Sequence, residues 1–168
     1  MRRVQDARIR KTKAFFDDRS AFLKELHGDV WLVVSIAAHY GMTPAIRLNG
    51  TSDIPWERHG VPQAWPGITF YDYSKWPVRR DLPANYHLTF SFSGANLAEC
   101  RTALQNGMNV AVPFMKAPPT WLGYPGVSGD DDDLRFLNKG PCIIALRPKG
   151  RLAKLPSSIF LGDNHHDV

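Results

Sequence analysis

Residues 47 to 57, RLNGTSDIPWE, place Arg47, Asn49, Thr51, Ser52 and Asp53 directly behind an apolar run. A carboxylate can take a proton, a guanidinium can hold an anion, and the amide and hydroxyls supply donors and acceptors to orient a substrate. Gly50 lets the backbone turn there. The same residue types also serve local structure, because Ser52 or Asp53 would cap a short helix running through Trp56 and Glu57. Both readings stay open from the sequence.

The arrangement repeats along the chain. Asp72, Tyr73 and Lys75 follow one apolar segment, Ser91, Ser93 and Asn96 a second, Lys116 a third, and Arg147 with Lys149 a fourth. If these segments are strands of a parallel sheet, their carboxyl ends open on one side and their loops converge on one mouth. The expected pocket is then Arg47, Asn49, Ser52, Tyr73, Ser91, Asn96 and Arg147. For an enzyme, Asp53 or Asp72 would be the general base and Arg47 or Lys75 the anion anchor.

Other groups point to less. The run GDDDD, residues 129 to 133, gathers four carboxylates but lacks the ligand spacing and closing Glu of a calcium loop, so it is expected as a solvated loop. His165 and His166 sit in a tail expected to fray. Cys100 and Cys142 are too far apart in sequence for a redox or zinc motif, and read as small buried residues. No catalytic triad context, phosphate-cradling glycine loop or H-E-x-x-H helix is present. No metal and no cofactor are expected. APPTWLGYPG, residues 117 to 126, reads as a loop whose Trp121 and Tyr124 either anchor a partner or pack over the end of the sheet.

The elements needed to position these groups follow from periodicity. Ala45 to Asn49, Ile68 to Tyr73, His87 to Phe92, Met108 to Phe114 and Cys142 to Arg147 are apolar runs bounded by Gly, Pro or Asn, predicting five strands. Ala95 to Gln105 predicts a helix between the third and fourth, and a strand-helix-strand unit of that length makes a parallel crossover. Leu88, Phe90 and Phe92 alternate with His87, Thr89 and Ser91, giving one apolar and one polar face. The expected class is α/β, a partial (β/α) barrel with a mainly parallel sheet and N-terminal helices.

Ahead of the strands, Ile9, Phe16 and Leu23 recur at seven-residue spacing, predicting a helix over about residues 3 to 27 with an apolar stripe facing the core. A second helical segment opens at Asp29, with Trp31, Val34, Ile36 and Ala38 as its expected core face. Residues 1 to 24 hold eight basic and three acidic side chains, so the chain's net charge of +5 sits in this first segment. On a continuous helix, Arg2, Arg3, Arg10, Lys13 and Lys24 share one arc. That arc suits an acidic protein surface or a phosphate backbone, although Asp6 and Asp17 lie on it and no aromatic residue interleaves for base stacking.

At 168 residues the chain can bury roughly 70% of its unfolded surface, enough for one domain without staples. The expected layout is a single domain over 1 to 168: the basic helix, a strand-rich core over about 29 to 155, and a flexible tail over about 156 to 168. The longest apolar run, Val30 to Val34, is far short of a membrane span, and the N-terminus lacks a signal-peptide core. A cytosolic protein without membrane partners is expected.

The order RIRKTKAFF, AIRLNGTSDIPWE, ITFYDYSK, YHLTFSFSGAN, GDDDDLRF and IIALRPKG resembles the C-terminal part of an uncharacterised family encoded by phages and plasmids, over most of the chain. That family is similar to partial α/β barrels of the radical S-adenosylmethionine type, whose longer members carry a cysteine-rich segment ahead of the first helix. RIRKTK begins here at Arg8, so a cluster-binding cysteine triplet is not expected. The resemblance implies a mobile-element protein in the host cytoplasm. It leads to a non-catalytic binding protein, such as an anti-CRISPR or other anti-defence inhibitor, acting on a host protein or ribonucleoprotein complex. The basic helix also admits nucleic acid. The alternative is a small α/β-barrel enzyme holding a polar or anionic substrate at the strand mouth.

Overall fold

The computed structural model describes residues 2 to 50 and 52 to 165, without the side chains of 2 to 4 and 164. The elements run α1 (Arg2–Asp17), α2 (Arg19–His39), β1 (Ala45–Arg47), β2 (Thr69–Ser74), β3 (Tyr86–Ser91), α3 (Leu97–Gln105), β4 (Asn109–Pro113), β5 (Thr120–Trp121), β6 (Tyr124–Ser128) and β7 (Ile143–Leu146). Among the described residues seven strands form a sheet in the order β1-β2-β3-β4-β7-β6-β5. The β3/β4, β4/β7 and β6/β7 pairs are parallel, and β5/β6 is antiparallel. This is the expected α/β class, with a mainly parallel sheet and N-terminal helices.

Two strands exceed the expected five. β5 and β6 come from the Pro-rich segment read as a loop. Leu122 and Gly123, both at positive φ (54° and 80°), form the tight reversal that lets Trp121 pair with Tyr124. Pro118 and Pro119 precede the short edge strand β5, and Pro125 lies on β6 opposite Thr120.

The chain divides into two compact units, one built from residues 1–70 and 83–86 and the other from 71–82 and 87–168. In the first, the long basic helix does not run to residue 27. It stops at Asp17, because Asp18 leaves helical geometry (φ −144°, ψ 86°) and its carboxylate accepts the Ala21 N–H at 3.0 Å, capping a new helix. α2 then passes straight through Gly28, a mid-helix glycine costing about 1 kcal/mol against alanine. The heptad stripe is broken with it. Phe15 is buried, packing edge-on against Phe22 and Trp56, whereas Ile9 and Phe16 are 60% and 69% exposed.

The core face of α2 is also shifted. Val30 and Ala37 are buried while Trp31, Ile36 and Ala38 are exposed. From Val30 to Ile46 there is no Asp, Glu, Lys or Arg, so apolar periodicity had no polar counter-face to mark the buried side.

The second unit holds the main core. Phe90 of β3 and Phe92 just after it, Val110 and Val112 of β4, and Ile143 and Ala145 of β7 pack on Cys100, Ala103 and Leu104 of α3. Ala111, Cys142 and Ile144 lie in a separate small cluster with Tyr73, Val127 and Leu146. Trp121 completes the larger core, edge-on to Phe92 and Phe114, with its indole N–H donating to Gly162 O (3.2 Å) and His165 O (2.9 Å). Part of the segment expected as a flexible tail packs on this unit, while Ile159 and Phe160 are exposed. Leu161 is fully buried, and the Asp163 carboxylate accepts the Met115 N–H at 2.7 Å. His166 lies outside the described residues.

Candidate functional site

Within the second unit the strand ends do meet. Lys75, just past β2, reaches the end of β3 and donates to Ser91 O (2.7 Å), Ser91 Oγ (2.9 Å) and Phe92 O (3.0 Å). Three acceptors on one ammonium fix the two carboxyl ends side by side. Asn96 fastens the next turn, accepting the Ser93 N–H at 2.7 Å and donating to Ser91 O at 3.1 Å. Its amide is thus spent on the backbone of that turn, and α3 starts without a side-chain cap.

A cleft of about 590 Å³ opens at this edge, bordered by Tyr73 from β2, Ser91 at the end of β3 and Phe92 just after it, Pro113 from β4, and Arg147 and Lys149 beyond β7. Gly129, Asp130, Asp132 and Asp133, which follow β6, border it too. The acidic run is not a freely solvated loop. Asp133 Oδ1 accepts the Tyr73 hydroxyl at 2.8 Å, and Asp130 Oδ2 accepts the Arg147 backbone N–H at 2.9 Å with the Arg147 guanidinium 3.8 Å away. Asp132 pairs at 2.8 Å with Arg135, whose Nη2 also donates to the Asp132 carbonyl.

Arg135 is the group the sequence did not flag. Its side chain is only 4% exposed, and its Nε and Nη1 lack hydrogen-bond partners. Gly129 makes room for it: a Cβ there would stand 3.1 Å from Nη1 and press on Ile144 and Leu146. The signal was present as Asp132 and Arg135 at i, i+3 spacing, overshadowed by the charge run around them.

The loop after β1, in the first unit, is organised by one side chain. Asn49 is buried, and its Oδ1 accepts Ser52 Oγ (2.7 Å), Ile54 N (3.1 Å) and Trp56 Nε1 (3.0 Å), while its Nδ2 donates to Ile54 O (3.0 Å). Arg47 turns back to Asn49 O at 3.2 Å. Neither Ser52 nor Asp53 caps the 3₁₀ turn Trp56–His59, which starts without a side-chain cap. Asp53 is half-buried, Asp72 is buried in the second unit, and both are engaged by neighbours. Thr51 lies outside the described residues.

α1 offers a surface of another kind. From Gln5 to Asp17 only Phe15 is buried and only Ala7 half-buried, so Arg8, Arg10, Lys11 and Lys13 stand exposed beside Ile9 and Phe16. The break at Asp18 takes Lys24 off this helix and out of the arc expected for it. The side chains of Arg2 and Arg3 lie outside the described residues.

Burial pushes the Cys100 thiol up to about 12, against the opposing influence of Lys75, and it also raises Cys142, which Arg135 opposes. These two cysteines lie in separate clusters and do not supply the three thiolates of a radical S-adenosylmethionine cluster. Among the described residues no three His, Cys, Asp or Glu side chains converge to hold a metal ion, and no helix is long and apolar enough to cross a membrane.

Of the residues expected at the mouth, Tyr73, Ser91 and Arg147 line one cleft, with Lys75 tied to its wall through Ser91. Asn96 is committed to the turn ahead of α3, and Arg47, Asn49 and Ser52 build their own loop in the other unit. No curated protein and no solved structure matches the chain. The profile of one family, described as Gene product 88, matches residues 1–159. The chain belongs to this phage-type Gene product 88 family.

Proposed function

We propose that this phage-family protein acts without catalysis, docking α1 on an acidic surface of a host protein in a nucleic-acid-processing complex of the cytoplasm. An anti-CRISPR or related anti-defence inhibitor is the concrete form of this reading. The observation that carries it is the exposure of α1: cations at Arg8, Arg10, Lys11 and Lys13 surround two uncovered apolar side chains, Ile9 and Phe16.

The fold gains little by holding such a helix, since burying Ile9 and Phe16 would be worth about 1.5–3 kcal/mol each. A partner that covers them gains that area. Cations ringing apolar anchors suit a protein surface, where charge steers the encounter and desolvated aromatic residues hold the complex. A phosphate backbone would use the cations and leave Ile9 and Phe16 in water. A kinship of the fold with partial barrels of the radical S-adenosylmethionine type belongs to the same reading, supported by the mainly parallel sheet alone.

The test is phage plating on a CRISPR-immune host expressing the protein. The wild type should raise plating efficiency at least about tenfold, and Arg8→Glu/Arg10→Glu/Lys13→Glu should abolish the gain at equal protein level. Full immunity in the presence of the wild-type protein refutes the inhibitor reading. A charge-reversed protein that still inhibits refutes α1 as the contact.

A further inference from the structure

We propose that the outward face of α2 is a dimer interface, on which a second copy of this chain docks antiparallel through Gly28, Leu32 and Ile36. The inference is independent of the reading of α1. It starts from a glycine and an apolar ridge that the fold leaves uncovered.

At about 100° per residue, Gly28, Leu32, Ser35, Ile36 and His39 share an arc of about 100°, opposite the buried Val30 and Ala37. Leu32 is 52% and Ile36 46% exposed, and Trp31 (62%) and Tyr40 (69%) flank them on either side. The Ser35 hydroxyl is turned back on its own helix, donating to Trp31 O at 2.9 Å. Gly28 lies inside the helix without a positive φ, and a Cβ there would meet nothing within 4 Å. Neither backbone conformation nor packing within the chain calls for a glycine at this point. A helix docking on it gains a closer approach from the missing side chain.

The charge pattern selects a second copy as the occupant. Twofold symmetry brings the same patch of both chains together, so a charge near the axis meets its own like charge. From Val30 to Ile46 there is no Asp, Glu, Lys or Arg to meet. With the axis at Leu32, midway between Gly28 and Ile36, each glycine faces the isoleucine of the other chain and leaves a hollow for its branched side chain. Lys24, Glu25 and Asp29 then stand across from Tyr40, His39 and Ser35 of the second copy, and no acid faces an acid or base a base. The area agrees. Trp31, Leu32, Ile36 and Tyr40 together expose on the order of 450 Å², more than half of the roughly 800 Å² per partner that a stable dimer buries. Glu25, Gly28, Ser35 and His39 lie between and beside them and extend the footprint.

The test is sedimentation equilibrium of the full chain from about 1 to about 200 µM, with variants that keep the helix. The wild type should reach twice the chain mass within this range. Leu32→Glu/Ile36→Glu, at two exposed positions, and Gly28→Leu, which favours the helix but fills the hollow, should each weaken association at least about tenfold while circular dichroism stays unchanged. Cysteine cross-linking reads the register. Leu32→Cys should oxidise to a covalent dimer, whereas Ile36→Cys, whose two copies would stand on the order of 12 Å apart along the pair, should not. A wild type that stays monomeric throughout the range overturns the proposal, as does a dimer indifferent to both sets of substitutions. Equal cross-linking of the two cysteine variants refutes the antiparallel register. A monomer that binds vesicles of neutral phospholipid, and loses this with Leu32→Glu/Ile36→Glu, assigns the face to a lipid surface and overturns the second copy.

Discussion

The carboxamide oxygen of Asn49 lies 3.0 Å from the indole nitrogen of Trp56, inside a loop whose other polar groups converge on the same oxygen. This is what the dense polar stretch after β1 does: three donors from residues 52, 54 and 56 meet one acceptor. Asn49→Ala would strand the indole N–H and the Ile54 N–H in a buried setting, where each unsatisfied donor costs about 1–3 kcal/mol. Chemical denaturation should show a loss of at least about 2 kcal/mol, whereas Ser52→Ala, at an exposed position, should cost about 0.5 kcal/mol or less. Equal losses would refute Asn49 as the organiser.

Gly129 is required by its neighbours. Gly129→Ala would push a methyl group against Ile144, Leu146 and the Arg135 guanidinium, and overpacking of this kind costs about 1–3 kcal/mol. Denaturant midpoints read the loss directly. A neutral substitution would mean that Arg135 is not held beneath the acidic loop as described.

His59 gives the protein an acid-side sensitivity. Its pKa is lowered from 6.5 by burial first and by Arg19 second, with Glu57 opposing. The unfolded chain therefore takes up a proton at a pH where the folded imidazole remains neutral. This contribution to stability is intact above 6.5 and is lost as the pH falls through the unfolded value toward the lower folded one. Urea midpoints should drop between about pH 7.5 and about pH 5, and His59→Asn should flatten the dependence. An unchanged slope in the variant would assign the acid sensitivity elsewhere.

Cys100 should resist alkylation. It is buried among α3 and β4 residues, and a thiol pushed up to about 12 has almost no thiolate near neutrality. Iodoacetamide at about pH 8 should leave it unmodified in the native protein and label it fully in denaturant, read by mass spectrometry. Native labelling within minutes would contradict its burial.

Much of the sheet was legible because its signals are local. Apolar runs bounded by Gly, Pro and Asn located β1, β2, β3, β4 and β7 to within about two residues, and the crossover through α3 supplied the parallel pairing. Tyr73, Ser91 and Arg147 could be placed on one rim because strand direction alone decides which ends share a side. What failed depended on partners distant in sequence or on a competing local bond. Asp18 ended α1 through a cap that apolar spacing does not encode, and the part of α2 from Val30 on, which has no Asp, Glu, Lys or Arg, hid which face was buried. Asn49 looked like a site residue because the types that bind substrates are the types that tie loops. Arg135 became visible only when its carboxylate, its glycine and its burial were seen together.

The most direct test of α1 as a docking element is binding of the purified protein to a reconstituted host interference complex, measured by biolayer interferometry at two salt concentrations. The wild type should bind, weaken as salt rises, and lose at least about tenfold in affinity with either Arg8→Glu/Arg10→Glu/Lys13→Glu or Ile9→Ser/Phe16→Ser, while thermal stability stays within the scatter of exposed substitutions. Binding that is indifferent to both sets of substitutions, or no binding by the wild type, would contradict the account.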